Sequence, residues 1–152
     1  MRLTSPVSVE RTIAAPPEAI FAVLADPSRH RDIDGSGTVR AATEGSRQVG
    51  LGERFGMDMR AGLSYRMVNE VIELEPGRRI AWQARTSYDA LKKVIGGRIW
   101  RYELEPVAGG TRVRETWDIS QEALPLLVAP LRGLTRISII RSLGRLEQLV
   151  AP

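Results

Sequence analysis

One stretch of the chain predicts its own strand pairing. Residues 99–119 read Ile-Trp-Arg-Tyr-Glu-Leu-Glu-Pro-Val-Ala-Gly-Gly-Thr-Arg-Val-Arg-Glu-Thr-Trp-Asp-Ile. Apolar and charged residues alternate on both sides of a glycine pair, which is typical of a β-hairpin. We expect a loop over residues 107–110. The pairs predicted on one face are then Leu104 with Val113, Tyr102 with Glu115, and Trp100 with Trp117.

The other face of this hairpin carries opposite charges. Glu105 lies opposite Arg112, and Glu103 lies opposite Arg114. A slip of one residue would bury these charges and expose the apolar side chains, so the register is strongly determined. Glu115 is the exception, because it faces the same side as the tryptophans. The sequence therefore predicts a carboxyl group inside the domain.

Length and composition exclude several classes of protein. The 152 residues suit a single domain over 1–152 with one hydrophobic core. With no cysteine and one histidine, neither a disulfide framework nor a zinc site can form, and we expect no metal and no cofactor. No apolar run is long enough to span a membrane, and the N-terminus lacks a signal-peptide pattern. We therefore expect no stable membrane insertion and a cytoplasmic location.

The net charge of +4 raises the question of nucleic acid. The basic residues are nearly all arginine, are spread along the chain and alternate with acidic residues. No long block of like charge marks a phosphate-binding surface. We therefore expect no nucleic-acid partner.

Periodicity predicts one strand and two short helices in the N-terminal part. Residues 7–13 alternate as a first strand, with Arg11 interrupting its apolar face. A helix should begin at Pro17 and run to about Ala25. Asp26 is expected to cap a second short helix, which ends in the Asp-Gly-Ser-Gly sequence at residues 34–37.

Strand patterns dominate the next part of the chain. Strands are predicted at residues 38–44, 53–60, 63–75 and 78–86. A two-residue turn at 76–77 would pair Val71 with Trp82 and Asn69 with Ala84. Both faces of the strand at 63–75 carry apolar residues, which a β-bulge that exchanges the two faces would explain. The polar residues 87–97 are predicted to form a loop.

The C-terminal part changes to a helical period. Two prolines interrupt residues 121–132, and this broken segment is the candidate gate of a cavity. From about Leu134, an amphipathic helix is predicted. Its apolar stripe consists of Ile139, Leu143, Leu146 and Val150, widened by Ile140 and Leu149. A second face carries Arg132, Arg136, Arg141 and Arg145; it could contact acidic lipid or a partner, although a solvated helix face is the commoner explanation.

Together these elements define an α+β domain in which a curved antiparallel sheet of about seven strands wraps the C-terminal helix. Such a sheet has one face to cover and one long helix to cover it. The space between them either fills with side chains or remains as an apolar pocket. The candidate ligand-binding residues on this face are Phe55, Met57, Met59, Tyr65, Asn69, Trp82, Trp100, Tyr102, Glu115 and Trp117.

Four segments carry a resemblance to a known family. They read Val-Glu-Arg-Thr-Ile-Ala-Ala-Pro-Pro-Glu-Ala-Ile-Phe-Ala-Val-Leu-Ala-Asp-Pro at 9–27, Val-Ile-Glu-Leu-Glu-Pro-Gly-Arg-Arg-Ile-Ala-Trp at 71–82, Trp-Arg-Tyr-Glu-Leu-Glu-Pro at 100–106 and Gly-Gly-Thr-Arg-Val at 109–113. With the order of elements, they resemble the polyketide cyclase/dehydrase-like branch of the START and birch-pollen-allergen-like superfamily, and most of all its uncharacterised actinobacterial members. The resemblance implies a helix-grip fold. It does not imply one activity, since that superfamily contains carriers, receptors and cyclases.

Glu115 allows two interpretations. In an apolar cavity its pKa would be raised, and it could orient a ligand hydroxyl or act as a general acid or base. Alternatively it is a structural carboxylate paired with an arginine such as Arg85, because a buried charge needs a partner. Tyr65, Tyr102 and Asn69 could likewise contact a ligand or bond to one another within the core.

His30 and Asp34 form a second candidate pair. Four residues apart on a short helix, they could place an oriented imidazole base at the cavity mouth. The alternative is a surface histidine followed by a turn-forming aspartate.

Three functions follow from these residues. The leading hypothesis is a carrier or sensor that binds a small, mostly apolar molecule such as a lipid, polyketide or aromatic metabolite in an enclosed cavity between the sheet and the C-terminal helix. The first alternative is an aromatase/cyclase-like enzyme that uses Glu115 or the His30 and Asp34 pair as acid and base. The second is a partner-binding module that acts through its outer surface, with a filled core and an exposed apolar patch.

Overall fold

The computed structural model describes residues 2–42, 45–86 and 96–152. These residues form seven strands: β1 (Val7–Ile13), β2 (Val39–Ala42), β3 (Arg54–Ala61), β4 (Leu63–Glu75), β5 (Arg79–Thr86), β6 (Gly96–Val107) and β7 (Gly110–Asp118). The helices are α1 (Pro17–Leu24), α2 (His30–Ile33), α3 (Pro125–Val128) and α4 (Arg132–Val150), with 3₁₀ turns at Pro27–Arg29 and Ala129–Leu131.

The strands build one antiparallel sheet in the order β1-β7-β6-β5-β4-β3-β2. It is open and curved around α4, which confirms the predicted α+β helix-grip fold. We call the side that packs against the helices the inner face. Ile13, Ile20, Ile80, Val113 and Ile139 are among the fully buried members of the apolar core between sheet and helices.

The first helix begins where the sequence predicts, whereas the second predicted helix begins as a 3₁₀ turn at Pro27 and becomes α-helical only at His30. Pro17 occupies the first position of α1, where its missing N–H costs no hydrogen bond. The Asp26 carboxylate accepts the Ser28 backbone N–H at 3.0 Å and the Ser28 hydroxyl at 2.7 Å. This cap redirects the chain into the 3₁₀ turn and α2, and so brings His30 over the sheet.

The β6–β7 hairpin has the predicted register, with Tyr102 opposite Glu115 and Trp100 opposite Trp117. Its loop is shorter than predicted, because Val107 pairs with Gly110 and only residues 108–109 form the turn. Gly109 has φ 84°, a conformation that suits a tight hairpin turn in a twisted sheet.

The charges on the outer face of this hairpin pair partly across other strands. Arg112 bonds to Glu105 at 2.9 Å, as predicted. Arg114, however, bonds to Glu10 on β1, and Glu103 bonds to Arg79 on β5 at 3.1 Å. A strand in an isolated hairpin has one neighbouring strand, whereas β6 and β7 each have two. Their charged side chains can therefore pair with β5 or β1 as well as with each other.

The β4–β5 pair has the predicted register in its middle but not next to its turn. Val71 pairs with Trp82, and Asn69 with Ala84. The connection is one residue longer than predicted, since Glu75 pairs with Arg79. The register then shifts between Val71 and Glu73, and this bulge offsets the longer turn. The bulge also explains why both faces of β4 carry apolar residues.

Two predicted segments lie partly outside the described residues. These are the end of the strand at 38–44, beyond Ala42, and most of the loop at 87–97. Gly96 and Gly97 belong to β6 rather than to a loop. Gly97 lies so close to the backbone of Gln121 that a Cβ would be 2.0 Å from the Gln121 carbonyl oxygen.

The predicted stripe of α4 is too wide. Ile139, Leu143 and Leu146 are buried, but Ile140 and Leu149 are 49% and 40% exposed. The helix packs on β1, β7 and α2, and these neighbours cover a narrow face. The helix also begins earlier than predicted, at Arg132, because the Ala129–Leu131 turn leads directly into it.

Candidate functional site

The three tryptophans of the chain lie in one cross-strand row on the inner face. Trp82 pairs with Trp100, and Trp100 pairs with Trp117. The row ends at Val71 on β4 and Val7 on β1. Trp82 and Trp117 are buried, and Trp100 is half-buried against the core.

An aromatic cluster extends from Trp82 toward the helices. The His30 ring stacks on Trp82 with centroids 4.7 Å apart and meets the Phe55 edge at 5.5 Å. Tyr102 lies beside Trp82 at 5.7 Å. α2 therefore closes over the inner face through the only histidine in the sequence.

Glu115 lies next to this cluster, between Tyr102 on β6 and Val9 on β1. It is 3% exposed, and its side chain hydrogen-bonds to the Tyr102 hydroxyl. Its Oε2 atom has no hydrogen-bond partner in the described part of the chain. Burial raises the pKa of Glu115 to about 8, and the nearby Asp34 charge acts in the same direction.

Glu115 is therefore mainly a neutral carboxylic acid at neutral pH. Tyr102 donates its hydroxyl hydrogen, and its own pKa is raised well above the usual range by burial and by Glu115. A protonated carboxyl has an O–H that can donate a hydrogen bond. The site can thus give a hydrogen bond to an oxygen atom, or transfer a proton to one, in an apolar setting.

The expectation that Arg85 pairs with Glu115 is wrong. The Arg85 guanidinium bonds to Gln83 at 2.9 Å and to Glu70 at 3.4 Å. Side chains alternate along β5, so Arg85 points away from the face that carries Trp82.

His30 is buried rather than on the surface, and Asp34 does not orient its ring. His30 Nε2 bonds to the Leu24 carbonyl oxygen at 2.8 Å. The Asp34 carboxylate accepts the Ser36 and Val39 backbone N–H groups, at 3.0 and 2.8 Å. Burial lowers the pKa of His30, which favours the neutral imidazole. A catalytic role for this pair stays a prediction.

The other predicted ligand-binding residues lie on β3 and β4. Phe55 pairs with Asn69, and Met59 pairs with Tyr65. Phe55, Met57 and Asn69 are buried, whereas Met59 and Tyr65 are half-buried. Within the described residues, no hydrogen bond engages the Asn69 amide. The predicted set therefore shares one face of the sheet, with Glu115 at the end nearest β1.

Sequence reasoning missed a second buried carboxyl group. The Glu122 side chain is 1% exposed, and its Oε1 accepts two hydrogen bonds from Arg98, at 3.1 and 2.8 Å. Its Oε2 has no partner in the described structure. Glu122 follows β7 in an irregular segment, so no period-2 or helical pattern could have indicated its burial.

Two depressions on the surface lie away from Glu115. One, of about 340 Å³, is lined by charged residues of the outer face that include Glu10, Arg79 and Arg114. The other, of about 280 Å³, is bounded by α1 and the β4–β5 turn. Neither contains a predicted ligand-binding residue. Glu115 is itself 3% exposed, so a ligand reaches it only past the side chains and helices that cover it.

The described residues contain neither a cluster of metal ligands nor a membrane-spanning helix. In residues 2–42, 45–86 and 96–152, no group of three or more histidine, aspartate or glutamate side chains could hold a metal ion. No helix in these ranges is both long and apolar enough to span a bilayer.

The chain is similar to one protein family and to curated mycobacterial proteins. A family model described as "Polyketide cyclase / dehydrase and lipid transport" matches residues 6–151. Uncharacterized protein Rv0088 of Mycobacterium tuberculosis is 38% identical over 114 residues, which cover 74% of this chain and 46% of that protein. The chain thus spans about half the length of this curated relative.

Solved structures share the fold. Protein CV1439 from Chromobacterium violaceum matches with a TM-score of 0.71 and 20% identity, covering 97% of each chain. A protein from Arthrobacter aurescens matches with a TM-score of 0.73 and 12% identity, covering 97% of this chain and 87% of that one.

Proposed function

Because this chain belongs to the polyketide cyclase / dehydrase and lipid transport family, we propose that it binds a small, mostly apolar molecule on the inner face of its sheet. The Glu115 carboxyl is the polar anchor of that ligand. The proposal rests on one observation: Glu115 is buried, and its Oε2 has no hydrogen-bond partner among the described residues.

An orphaned buried polar atom costs about 1–3 kcal/mol of stability. A ligand oxygen that accepts a hydrogen bond from Glu115 would remove that cost. The surrounding Tyr102, Trp82 and Trp117 side chains offer broad apolar contact to the rest of the ligand. The preferred ligand therefore combines an aromatic or aliphatic body with a carbonyl or hydroxyl oxygen.

An anionic head group is a poor match for this position. Asp34 already acts on Glu115 as a like charge. No arginine or lysine in the described part of the chain bonds to Glu115. An anionic ligand would add a second negative charge, beside that of Asp34, to this low-dielectric region, which would be unfavourable. We expect neutral ketones, phenols and alcohols to bind better than the corresponding carboxylates.

A ligand can reach the buried Glu115 only if part of the fold opens. Residues 121–132 join β7 to α4 through the short α3 helix and a 3₁₀ turn, each of which can move without breaking a long run of helix. We assign the role of gate to this segment, as the sequence predicts. Displacement of the segment would expose the end of the inner face near Trp117.

Tryptophan fluorescence tests the proposal directly, because all three tryptophans share the inner face. The probes are a neutral polycyclic aromatic ketone and its carboxylate analogue. Titration of the wild type with the ketone should quench tryptophan emission. Glu115→Leu should weaken ketone binding by about tenfold, the value of one hydrogen bond to a buried group. Glu105→Gln, on the exposed outer face, is the matched control and should bind normally.

The pH dependence gives a second measurement. Ketone affinity should fall as the pH rises through about 8, since ionisation of Glu115 removes the donor. Glu115→Gln keeps an N–H donor and should lose this dependence. Native mass spectrometry of the freshly purified protein should also detect a co-purified apolar molecule. Equal binding by wild type and Glu115→Leu at every pH would contradict the assignment of Glu115 as anchor.

A second candidate function is acid catalysis on the bound molecule. The observation that favours it is the pKa of about 8, which makes Glu115 able to exchange a proton near neutral pH. An enzyme would change the ligand, whereas a carrier would return it intact. Mass spectrometry of a poly-β-ketone probe after incubation separates the two: loss of water that requires Glu115 supports the enzyme, and recovery of the unchanged probe supports the carrier.

A further inference from the structure

The α3–α4 region exposes an unusual amount of apolar surface. Leu126 and Leu127 on α3 are 68% and 64% exposed, and Leu134, Ile137 and Ile140 on α4 are 67%, 48% and 49% exposed. We call these five residues, together with Arg136 and Arg141, the α3–α4 outer surface. Exposed apolar residues concentrated in one region of a domain generally mark an interaction site.

Helix geometry places the α4 part of this surface away from the core. Successive residues turn by about 100°, so Ile137 lies about 200° from the buried Ile139. Leu134 lies near Ile137, one turn away along the helix. The buried stripe of Ile139, Leu143 and Leu146 faces the sheet. The exposed aliphatic side chains therefore point outward and do not line the space near Glu115.

The charge of this segment has one sign. Between Glu122 and Glu147 the sequence contains four arginines and no acidic residue. Two of the arginines bond within the fold: Arg132 donates to the Ser5 carbonyl oxygen, and Arg145 to the Asp34 carbonyl oxygen. In the described part of the chain, no hydrogen bond or ion pair engages the exposed Arg136 or Arg141.

We propose that the α3–α4 outer surface docks the protein on anionic phospholipid membranes. Its leucines and isoleucines enter the boundary between head groups and acyl chains, and Arg136 and Arg141 contact lipid phosphates. Exposed aliphatic residues flanked by arginines are the pattern of a helix that lies in the membrane interface. The α4 part of this surface lies outside the Glu115 site and the α3 part belongs to the gate, so the proposal does not require that Glu115 binds a ligand.

Charge complementarity favours a lipid surface over a second copy of the chain. A two-fold dimer would place the same patch against itself and bring arginines toward arginines. The segment offers no acidic residue to pair with them. An anionic bilayer supplies both an apolar layer and phosphate groups at its surface.

Vesicle flotation tests the proposal with the full chain. Vesicles of phosphatidylcholine alone are compared with vesicles that also contain phosphatidylglycerol. Wild type should float with the anionic vesicles, remain free with the neutral ones, and be released by high salt. Arg136→Gln combined with Arg141→Gln should lower partitioning by at least about tenfold, because each basic residue near an anionic surface strengthens binding about fivefold.

A second double variant tests how much the exposed apolar side chains contribute to vesicle binding. Leu134→Gln combined with Ile137→Gln should also reduce flotation. Leu51→Gln and Arg78→Glu change residues of similar exposure far from α4 and should leave flotation unchanged. Circular dichroism and thermal melting establish that each variant is folded.

Three results would overturn the proposal. They are equal flotation with neutral and anionic vesicles, no flotation with either, and unaltered flotation of both double variants. Light scattering measures the oligomeric state and so distinguishes membrane docking from dimer formation. A dimer that the Leu134→Gln and Ile137→Gln changes convert to a monomer, without any vesicle binding by the wild type, would assign the surface to a second copy instead.

Discussion

At the scale of single residues, the buried Glu115 carboxyl group should make the stability of the fold depend on pH. Its folded-state pKa of about 8 lies above its ordinary value of 4.5. The folded protein therefore binds more protons than the unfolded chain between these pH values. Stability contributed by this group falls as the pH rises through the window, by on the order of 5 kcal/mol in total.

Glu115→Gln should remove that dependence. We expect the free energy of unfolding of the variant to change less than that of the wild type between about pH 5 and pH 8, and to exceed it in alkaline solution, because Gln cannot ionise. Urea denaturation across this range measures both quantities. Glu105→Gln, on the outer face, should retain the wild-type slope. A wild-type slope in Glu115→Gln would show that the carboxyl group is solvated.

His30 acts in the opposite direction. Burial lowers its pKa, so the unfolded chain takes up a proton that the folded protein does not, and stability is lost on acidification below about 6.5. The sequence contains a single histidine, so its imidazole resonances are unambiguous by NMR. They should not titrate near pH 6.5 and should begin to shift only in more acidic solution. A midpoint at or above about 6.5 would mean that the imidazole ring is not buried away from water.

At the scale of secondary-structure elements, the contact between the end of α2 and α4 depends on Gly35. Its backbone N–H donates to the Ser142 hydroxyl at 2.8 Å. A Cβ at this position would lie 2.0 Å from the Ser138 carbonyl oxygen and 2.8 Å from the Arg141 Cβ. This approach places His30 over Trp82, so Gly35 positions part of the site without belonging to it.

Gly35→Ala should destabilise the protein by about 2 kcal/mol or more, because α4 backbone must move to admit a methyl group. Gly144→Ala is the matched control. It lies within α4 and a Cβ there meets nothing within 4 Å, so alanine should stabilise the helix by up to about 1 kcal/mol. Chemical denaturation compares the two variants. Equal stability of Gly35→Ala and the wild type would mean that α2 and α4 pack less closely than the distances indicate.

At the scale of the whole molecule, the sheet order combines local and distant pairing. Hairpins join β3 to β4, β4 to β5, and β6 to β7, whereas β1 pairs with β7 from the far end of the chain. This closure places Val9 beside Glu115 and lets Arg11 bond to Glu147 on α4 at 2.8 Å. The interior of the site therefore depends on contacts between the two ends of the sequence.

The sequence by itself determined the strands, the hairpin register and the inward direction of Glu115. These follow from alternation and turn residues, which act over a few positions. The same local information placed the cap at Asp26 and suggested the bulge in β4. It misjudged the hairpin loop and the turn after β4 because turn length depends on small backbone adjustments that side-chain patterns do not encode.

Only the tertiary structure decided what each side chain meets. It assigned Tyr102 rather than Arg85 to Glu115, buried His30 on Trp82, and paired Arg114 with Glu10 instead of Glu103. It also left Ile140 on the outside of α4 and enclosed Glu122 beside Arg98. The physical reason is that burial and pairing depend on elements distant in the sequence, whereas periodicity specifies only the direction in which a side chain leaves its own strand or helix.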